Sequence, residues 1–404
     1  MISVAEARAR ILSAFRPLAA QQVDLAHALG RVLADDVRAR RTQPPADVSA
    51  MDGYAVRAAD VARVPATLEQ IASIPAGGAY DGIVGSGQCA RIFTGAPLPK
   101  GTDAIVIQEN AEATGTRVLV KEGAAKGRFV RTAGLDFKAG DLGLPAGRVL
   151  TARDVGLAAA MNVPWLSVRR RPRVAILPTG DEIVMPGEPI GPNQIVSSNG
   201  LALAAVVEAS GGEATLLGTA PDDARALRAI AQGARGADLL VTTGGASVGE
   251  HDLVRDALEE DGLVLDFWKV AMRPGKPLIF GHLHCVPVLG LPGNPVSTLV
   301  CALIFIRPAI EAMLGILRPD APAATAALGT DLAANDQRQD YLRARLAQGP
   351  DGRPVATPYT KQDSSMISLI AHADCLVVRA PFAPAAKAGE AVEIIPLSGG
   401  IAGI

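Results

Sequence analysis

The sequence predicts a multidomain α/β plus β protein: a central doubly wound, mostly parallel α/β domain, a mainly β domain inserted in a discontinuous N-terminal domain, and a small C-terminal β domain. Three observations predict it. Between Arg173 and about Gly315, strand-length apolar runs alternate with helical patterns, and Gly, Pro or Asp marks each junction. Before that, residues 43–141 are rich in Gly, Pro and short β-branched runs such as Ala104-Ile105-Val106-Ile107 and Thr116-Arg117-Val118-Leu119-Val120. The chain also has 404 residues, whereas one domain usually takes roughly 100–200.

From the N-terminus, Met1–Phe15 alternates apolar residues with Glu6, Arg8 and Arg10, which predicts an amphipathic helix and not a signal peptide. This helical segment and Thr151–Met161 flank the β unit and are expected to pair, giving one domain from 1–42 plus 142–170 around the insert at 43–141. In the α/β domain, 171–318, the pattern predicts strands at Val174–Leu177, Ala214–Gly218, Leu239–Thr242 and Val286–Leu289. Helices are expected at Gly200–Ser210, Asp223–Gly233, Asp252–Glu260 and Val296–Leu314. The longest apolar run, Val296–Ile306, stops at Arg307-Pro308, short of the ~20 residues of a bilayer span, so it reads as a buried helix. Pro319-Asp320-Ala321-Pro322 reads as a linker into the C-terminal β domain, 319–404.

Lys and Arg number 39 against 41 Asp and Glu, so no overall field draws nucleic acid or an anionic membrane. Aromatics make up only 3% of the chain, leaving base stacking little to work with. Four cysteines without a CxxC pair predict neither a disulfide framework nor a thiolate metal site, and suit a reducing cytoplasm.

A doubly wound sheet gathers its ligands beyond the C-terminal strand ends. Four polar clusters fall there: Thr179-Gly180-Asp181-Glu182, Pro221-Asp222-Asp223, Thr243 to Asp252, and Leu291-Pro292-Gly293-Asn294-Pro295. Gly244-Gly245 leaves backbone N–H groups open and Ser247 adds a hydroxyl, which suits an anion cradle. The same glycines would serve a plain strand-to-helix turn. Glu182, Asp222 and Asp252 converge from separate loops, and such carboxylates call for a cation, of which Mg2+ paired with a substrate phosphate is the natural choice. Asp222, Asp223 and Asp252 could equally cap the helices that follow.

In Phe267–Pro277 the cations Lys269, Arg273 and Lys276 are stiffened by Pro274-Gly275 and Pro277, an arrangement for an oxyanion; taken alone, a basic run is a solvated face. In the β unit, Asp52 and Thr94 are the single polar side chains of two turn-like segments, and Arg131 with Asp136 could be a surface ion pair. Gly85-Ser86-Gly87-Gln88-Cys89-Ala90 has dinucleotide-fingerprint spacing without the strand and helix it requires. His282-Leu283-His284-Cys285 has metal-ligand residue types but reads as a hairpin connection.

Together SAMDGYAVR, IFTGAPLP, PTGDE, TTGGASVGEHD, FWKVAMRPGKP and GLPGNPVS resemble, in order and spacing, the molybdopterin molybdenumtransferase family, MoeA in bacteria and the E domain of gephyrin in animals. The resemblance spans nearly the whole chain and implies a molybdopterin-binding type of α/β domain. It also implies that adenylylated molybdopterin and molybdate give molybdenum cofactor and AMP, with Mg2+ assisting. Matched residue by residue, Glu182, Asp222 and Asp252 are active-site acids, Asp222 and Asp252 on the metal side. Lys269, Arg273, Lys276 and Pro277 belong to the pterin and molybdate pockets, with Gly244, Gly245 and Ser247 at the Gly-rich loop. Asp52, Thr94, Arg131 and Asp136 match positions of a β domain that reaches the partner subunit's site, implying a homodimer. Transient contacts with a molybdopterin adenylyltransferase and with molybdoenzyme acceptors are implied too, and contacts with nucleic acid or membrane are not. Arg343, Ser364 and Ser365 are candidates for molybdate contact. Arg273 stands where many members have Lys, so a planar fork replaces a point charge. Two other readings fit the α/β domain: an adenylyltransferase, which would lack the flanking domains, and a scaffold of this fold without catalysis.

Overall fold

Apolar residues continuous along a strand mark burial on both faces, and the runs Arg173–Pro178, Leu239–Thr243 and Val286–Leu291 are such strands at the centre of a six-stranded sheet. The structure is a computed structural model in which residues 1–244, 253–316 and 324–397 are described. The sheet runs Glu213–Leu216, Arg173–Pro178, Leu239–Thr243, Val286–Leu291, Pro277–Leu283, Leu263–Lys269. The first four strands are parallel, and the last two add antiparallel at one edge. His282–Cys285 forms the tight connection between Pro277–Leu283 and Val286–Leu291, with His284 at φ 55°.

Side chains alternate across the sheet with period two. Val174, Ile176, Val241 and Leu289 face one core, with Leu203, Val207 and Val300 of the helices Asn199–Ala209 and Pro295–Leu314. Ala175, Leu177, Leu240 and Val288 face the other, with Leu227 and Leu258 of helices Ala224–Ala231 and Leu253–Glu260. The 20-residue helix Pro295–Leu314 is long and apolar enough to cross a bilayer by composition alone, yet Val296, Val300, Phe305 and Ile310 are core residues of the domain. It passes through Arg307-Pro308 after a π turn at Ala302–Ile306, a wider turn just before a residue with no N–H to donate.

The N-terminal helix, Val4–Ser13, is capped by Ser3, whose Oγ accepts from the Glu6 N–H at 3.1 Å. Its stripe Val4, Ala7 and Ile11 packs into the core that holds the helix Pro295–Leu314. That differs from the expected pairing with Thr151–Met161: the helix there, Ala152–Ala160, buries Ala158 in a separate core with Leu33, Leu150 and Leu166. The rest of the 1–42 and 142–170 segments is joined by strands, Ala20–Asp24 with Trp165–Arg169 and Val37–Arg38 with Leu142–Leu144.

Residues 53–120 supply a six-stranded sheet of their own. Within it, Gly85–Ala90 leads into the strand Gln88–Ile92 and not into a helix. The C-terminal sheet runs Met272–Arg273, Gln339–Gln348, Pro354–Pro358, Ala324–Leu328, Ala391–Pro396, Cys375–Arg379, and it closes where Cys375–Arg379 pairs back on Gln339–Gln348. Its edge strand, Met272–Arg273, comes from the basic loop of the α/β domain and lies parallel to Gln339-Asp340.

Candidate active site

The C-terminal ends of the parallel strands open into a cleft of about 700 Å3. Thr179 closes one strand, its N–H donating to the Thr243 carbonyl at 2.9 Å. Gly180, at φ 134°, turns the chain outward and donates to the Ala220 carbonyl. Glu182 then stands exposed on the cleft wall. Gly244 turns at φ 98° directly against Thr179: a Cβ there would lie 2.3 Å from the Thr179 carbonyl oxygen. Only glycine tolerates both the angle and the approach.

Two helices start at the cleft. The helix Asn199–Ala209 follows Ser198, and the helix Pro295–Leu314 follows Asn294, and neither cap residue makes a side-chain capping hydrogen bond. Pro295 has no N–H and the Val296 N–H is taken by the C-terminal domain, so it is the start of Asn199–Ala209 that offers open N–H groups and the positive end of a helix dipole, an arrangement that accepts anions. Asn199 locks the floor: its Nδ2 donates to the Thr243 Oγ1 at 3.1 Å and to the Gly293 carbonyl at 2.7 Å. Thr298 Oγ1 donates to the Pro292 carbonyl at 2.7 Å, fixing the Pro292–Asn294 turn.

The C-terminal domain contributes the remaining wall. Ser365 lines the cleft, and the Ser364 carbonyl accepts from the Val296 N–H at 3.1 Å. Arg343, 1% exposed, donates through Nη2 to the Asp363 carbonyl at 2.9 Å. Burial lowers the pKa of its guanidinium, offset in part by Asp363. Arg343 therefore holds the loop that carries Ser364 and Ser365, while its buried Nε has no hydrogen-bond partner among the described residues.

The basic loop lies elsewhere. Gly275, at φ 109°, packs its Cα side against Cys301, whose Sγ would be 2.6 Å from an added Cβ. Lys269 places its Nζ 3.5 Å from the Trp268 ring centroid. Arg273 donates to Asp336 at 3.2 Å, to Asn335 at 3.3 Å and to Asp340. Neither Lys269, Arg273, Lys276 nor Pro277 lines the cleft. With three acceptors of the C-terminal domain around it, Arg273 joins two domains, where the sequence reading had it holding an oxyanion.

In the β domain, Asp52 Oδ1 accepts from the Thr94 N–H at 2.8 Å and from Thr94 Oγ1 at 2.7 Å, and these bonds hold its carboxyl below the usual range. Arg91 lies over the Tyr54 and Phe93 rings, donating to Gln108. Arg131 and Asp136 are both exposed, and among the described residues no ion pair joins them. Asp222 is exposed, its N–H donating to Asp181 Oδ1 at 3.0 Å. Gly245, Ser247 and Asp252 lie outside the described residues. Among the described residues, no three His, Cys, Asp or Glu side chains gather closely enough to hold a metal ion.

The structure thus brings Glu182, Gly244 and Ser365 together with Thr179 of the same strand-end cluster, and adds Ser198 and Asn199, which sequence reasoning missed. Ser198-Asn199 had the signal of a polar pair at a helix start. A two-part N-terminal unit, an α/β domain with an anion-ready cleft and a closed C-terminal β domain define a multidomain protein of the molybdopterin-binding class.

The comparisons agree with that class along the chain. Residues 2–162 match the MoeA N-terminal region (domains I and II), 175–312 the probable molybdopterin-binding domain, and 325–397 the MoeA C-terminal region (domain IV). The chain belongs to the molybdopterin molybdenumtransferase, or MoeA, family. It is 40% identical to the molybdopterin molybdenumtransferase of a Nostoc species, covering 80% of this chain and 76% of that one. It is 33% identical to the Haemophilus influenzae enzyme of that name, covering 98% and 99%. The crystal structure of a molybdopterin biosynthesis MoeA protein from Pyrococcus horikosii superposes with a TM-score of 0.86 at 31% identity, covering 99% of this chain and all of that one.

Proposed function

We propose that this protein is a Mg2+-dependent molybdopterin molybdotransferase of the cytoplasm, acting as a homodimer on adenylylated molybdopterin and molybdate and releasing molybdenum cofactor and AMP. The observation that carries the reading is the cleft at the strand ends with the uncapped N-terminus of Asn199–Ala209 opening into it. A phosphoanhydride is the kind of ligand such an end receives. The free N–H groups hold the phosphoryl oxygens, and Glu182 offers a proton acceptor at the rim. Asp222 and Asp252 are the proposed metal-side groups; Mg2+ commonly enters with substrate phosphates and one or two carboxylates.

The exposed apolar side chains Met51 and Leu135 beside Asp52, Arg131 and Asp136 support a dimer in which this β surface covers a partner's site. The chemistry also requires an enzyme that supplies the adenylylated pterin and acceptor molybdoenzymes that take the product. The test is incubation of purified protein with adenylylated molybdopterin, Mg2+ and molybdate. AMP is expected from the wild type and not from Asp252→Ala. If neither protein yields AMP, the chain is a scaffold of this fold and the transferase reading fails.

A further inference from the structure

Among the described residues that line the cleft, one buried side-chain hydroxyl has no hydrogen-bond partner. Thr243 Oγ1 accepts from Asn199, and Thr298 Oγ1 donates to Pro292. Thr179, at the end of the central strand and only 1% exposed, has a hydroxyl with no hydrogen-bond partner. A buried hydroxyl left unmade destabilises the free protein, so such a group calls for an explanation. Packing does not supply one, because valine has the same shape without that cost. The neighbouring chain also keeps clear of it: a Cβ on Gly244 would lie 2.9 Å from Thr179 Oγ1, and glycine leaves that flank without a side chain.

We propose that Thr179 is a substrate-binding residue, its hydroxyl donating to a phosphoryl oxygen held at the uncapped start of the helix Asn199–Ala209. The class of ligand follows from the polarity of its surroundings. That helix start presents donors to the cleft and no side-chain capping acceptor, so the group that fits there brings acceptor oxygens, as a phosphate ester or anhydride does. This rests on the proposed substrate and adds to it a residue that pays in the free protein for a bond made only in the complex.

The test uses the full chain. Thr179→Val is expected to keep or raise the thermal midpoint, while Kd for adenylylated molybdopterin rises roughly tenfold or more, the loss of one hydrogen bond to a charged group. Thr179→Ser restores the affinity. If valine folds poorly, Thr179→Ala repeats the comparison with no added bulk. An unchanged Kd overturns the inference, as does a lowered midpoint in both the Val and Ala variants, which would mean that the hydroxyl serves the fold. AMP release by the wild type with unaltered affinity in Thr179→Val sinks this inference and leaves the transferase reading standing. Weaker binding of inorganic phosphate by Thr179→Val, in a protein that does not bind the adenylylated pterin, does the reverse.

Discussion

The cleft of the α/β domain and the Asp52 cluster of the β domain handle their polar groups in opposite ways. In the cleft, the start of Asn199–Ala209 is uncapped and, among the described residues, the Thr179 hydroxyl is unpaired. In the β domain, Asp52 is satisfied by Thr94, and Arg91 by Gln108 and two rings. Groups left unsatisfied in the free protein mark where a ligand completes the structure. Groups already satisfied and exposed carry no such debt, and they act when a second surface meets them. On the function proposed above, binding falls to the cleft and a later step to the β cluster.

The largest effect that tests this division is on turnover. Asp52→Asn is expected to lower kcat by roughly a hundredfold, the scale of a lost acid–base group, with KM unchanged. A rise in KM alone would move Asp52 into binding. Next in size is the tie between the cleft's C-terminal wall and the α/β domain. Asp340 is 4% exposed and is paired with Arg273, so Arg273→Ala is expected to cost about 2 kcal/mol in urea unfolding, less than a fully buried pair because Arg273 is half exposed. Arg273→Lys should recover part of it; an unchanged midpoint for Arg273→Ala would mean that the domains are held by strand pairing alone.

Gly275→Ala adds a Cβ 2.6 Å from Cys301 Sγ at φ 109°, with an expected loss of roughly 1–3 kcal/mol and no change in thiol reactivity. Burial pushes the Cys301 thiol up to about 12, so at neutral pH a thiol reagent should label exposed Cys285 and spare Cys89, Cys301 and Cys375. The smallest effect is a titration. Thr94→Val removes one of the two bonds that depress Asp52, so its NMR midpoint should rise toward the usual carboxylate range. A depressed carboxyl favours the native state above its unfolded value and loses that advantage as pH falls through its folded value. The Thr94→Val protein should therefore be less sensitive to acid near Asp52; an unmoved midpoint would assign the whole shift to the backbone bond.

Much of this was legible in the sequence because period and punctuation are local. The alternation through 173–315 located the sheet, and strand-end clusters such as Thr179–Glu182 fell at the cleft. What was not legible depends on pairs distant along the chain. Arg273 finds its acceptors more than sixty residues later, at Asp336 and Asp340. Arg343 looks like a free surface cation in sequence, yet it is buried and donates through Nη2 to a main-chain carbonyl. The stripe Val4, Ala7, Ile11 announces a helix but not which core it joins. An unpaired hydroxyl such as that of Thr179 has no sequence signature, because being unpaired is a property of its surroundings.

The most direct test of the division is to fill the cleft without disturbing the fold. Gly293 lines the cleft, and among the described residues an added Cβ there meets Gly244 alone, its Cα at 3.5 Å, an ordinary contact, so Gly293→Leu is the substitution chosen to fill it. Equilibrium binding of adenylylated molybdopterin should weaken by roughly thirtyfold or more, about 2 kcal/mol, with the thermal midpoint unchanged. Wild-type affinity in the folded Gly293→Leu protein would contradict the account and place the substrate elsewhere.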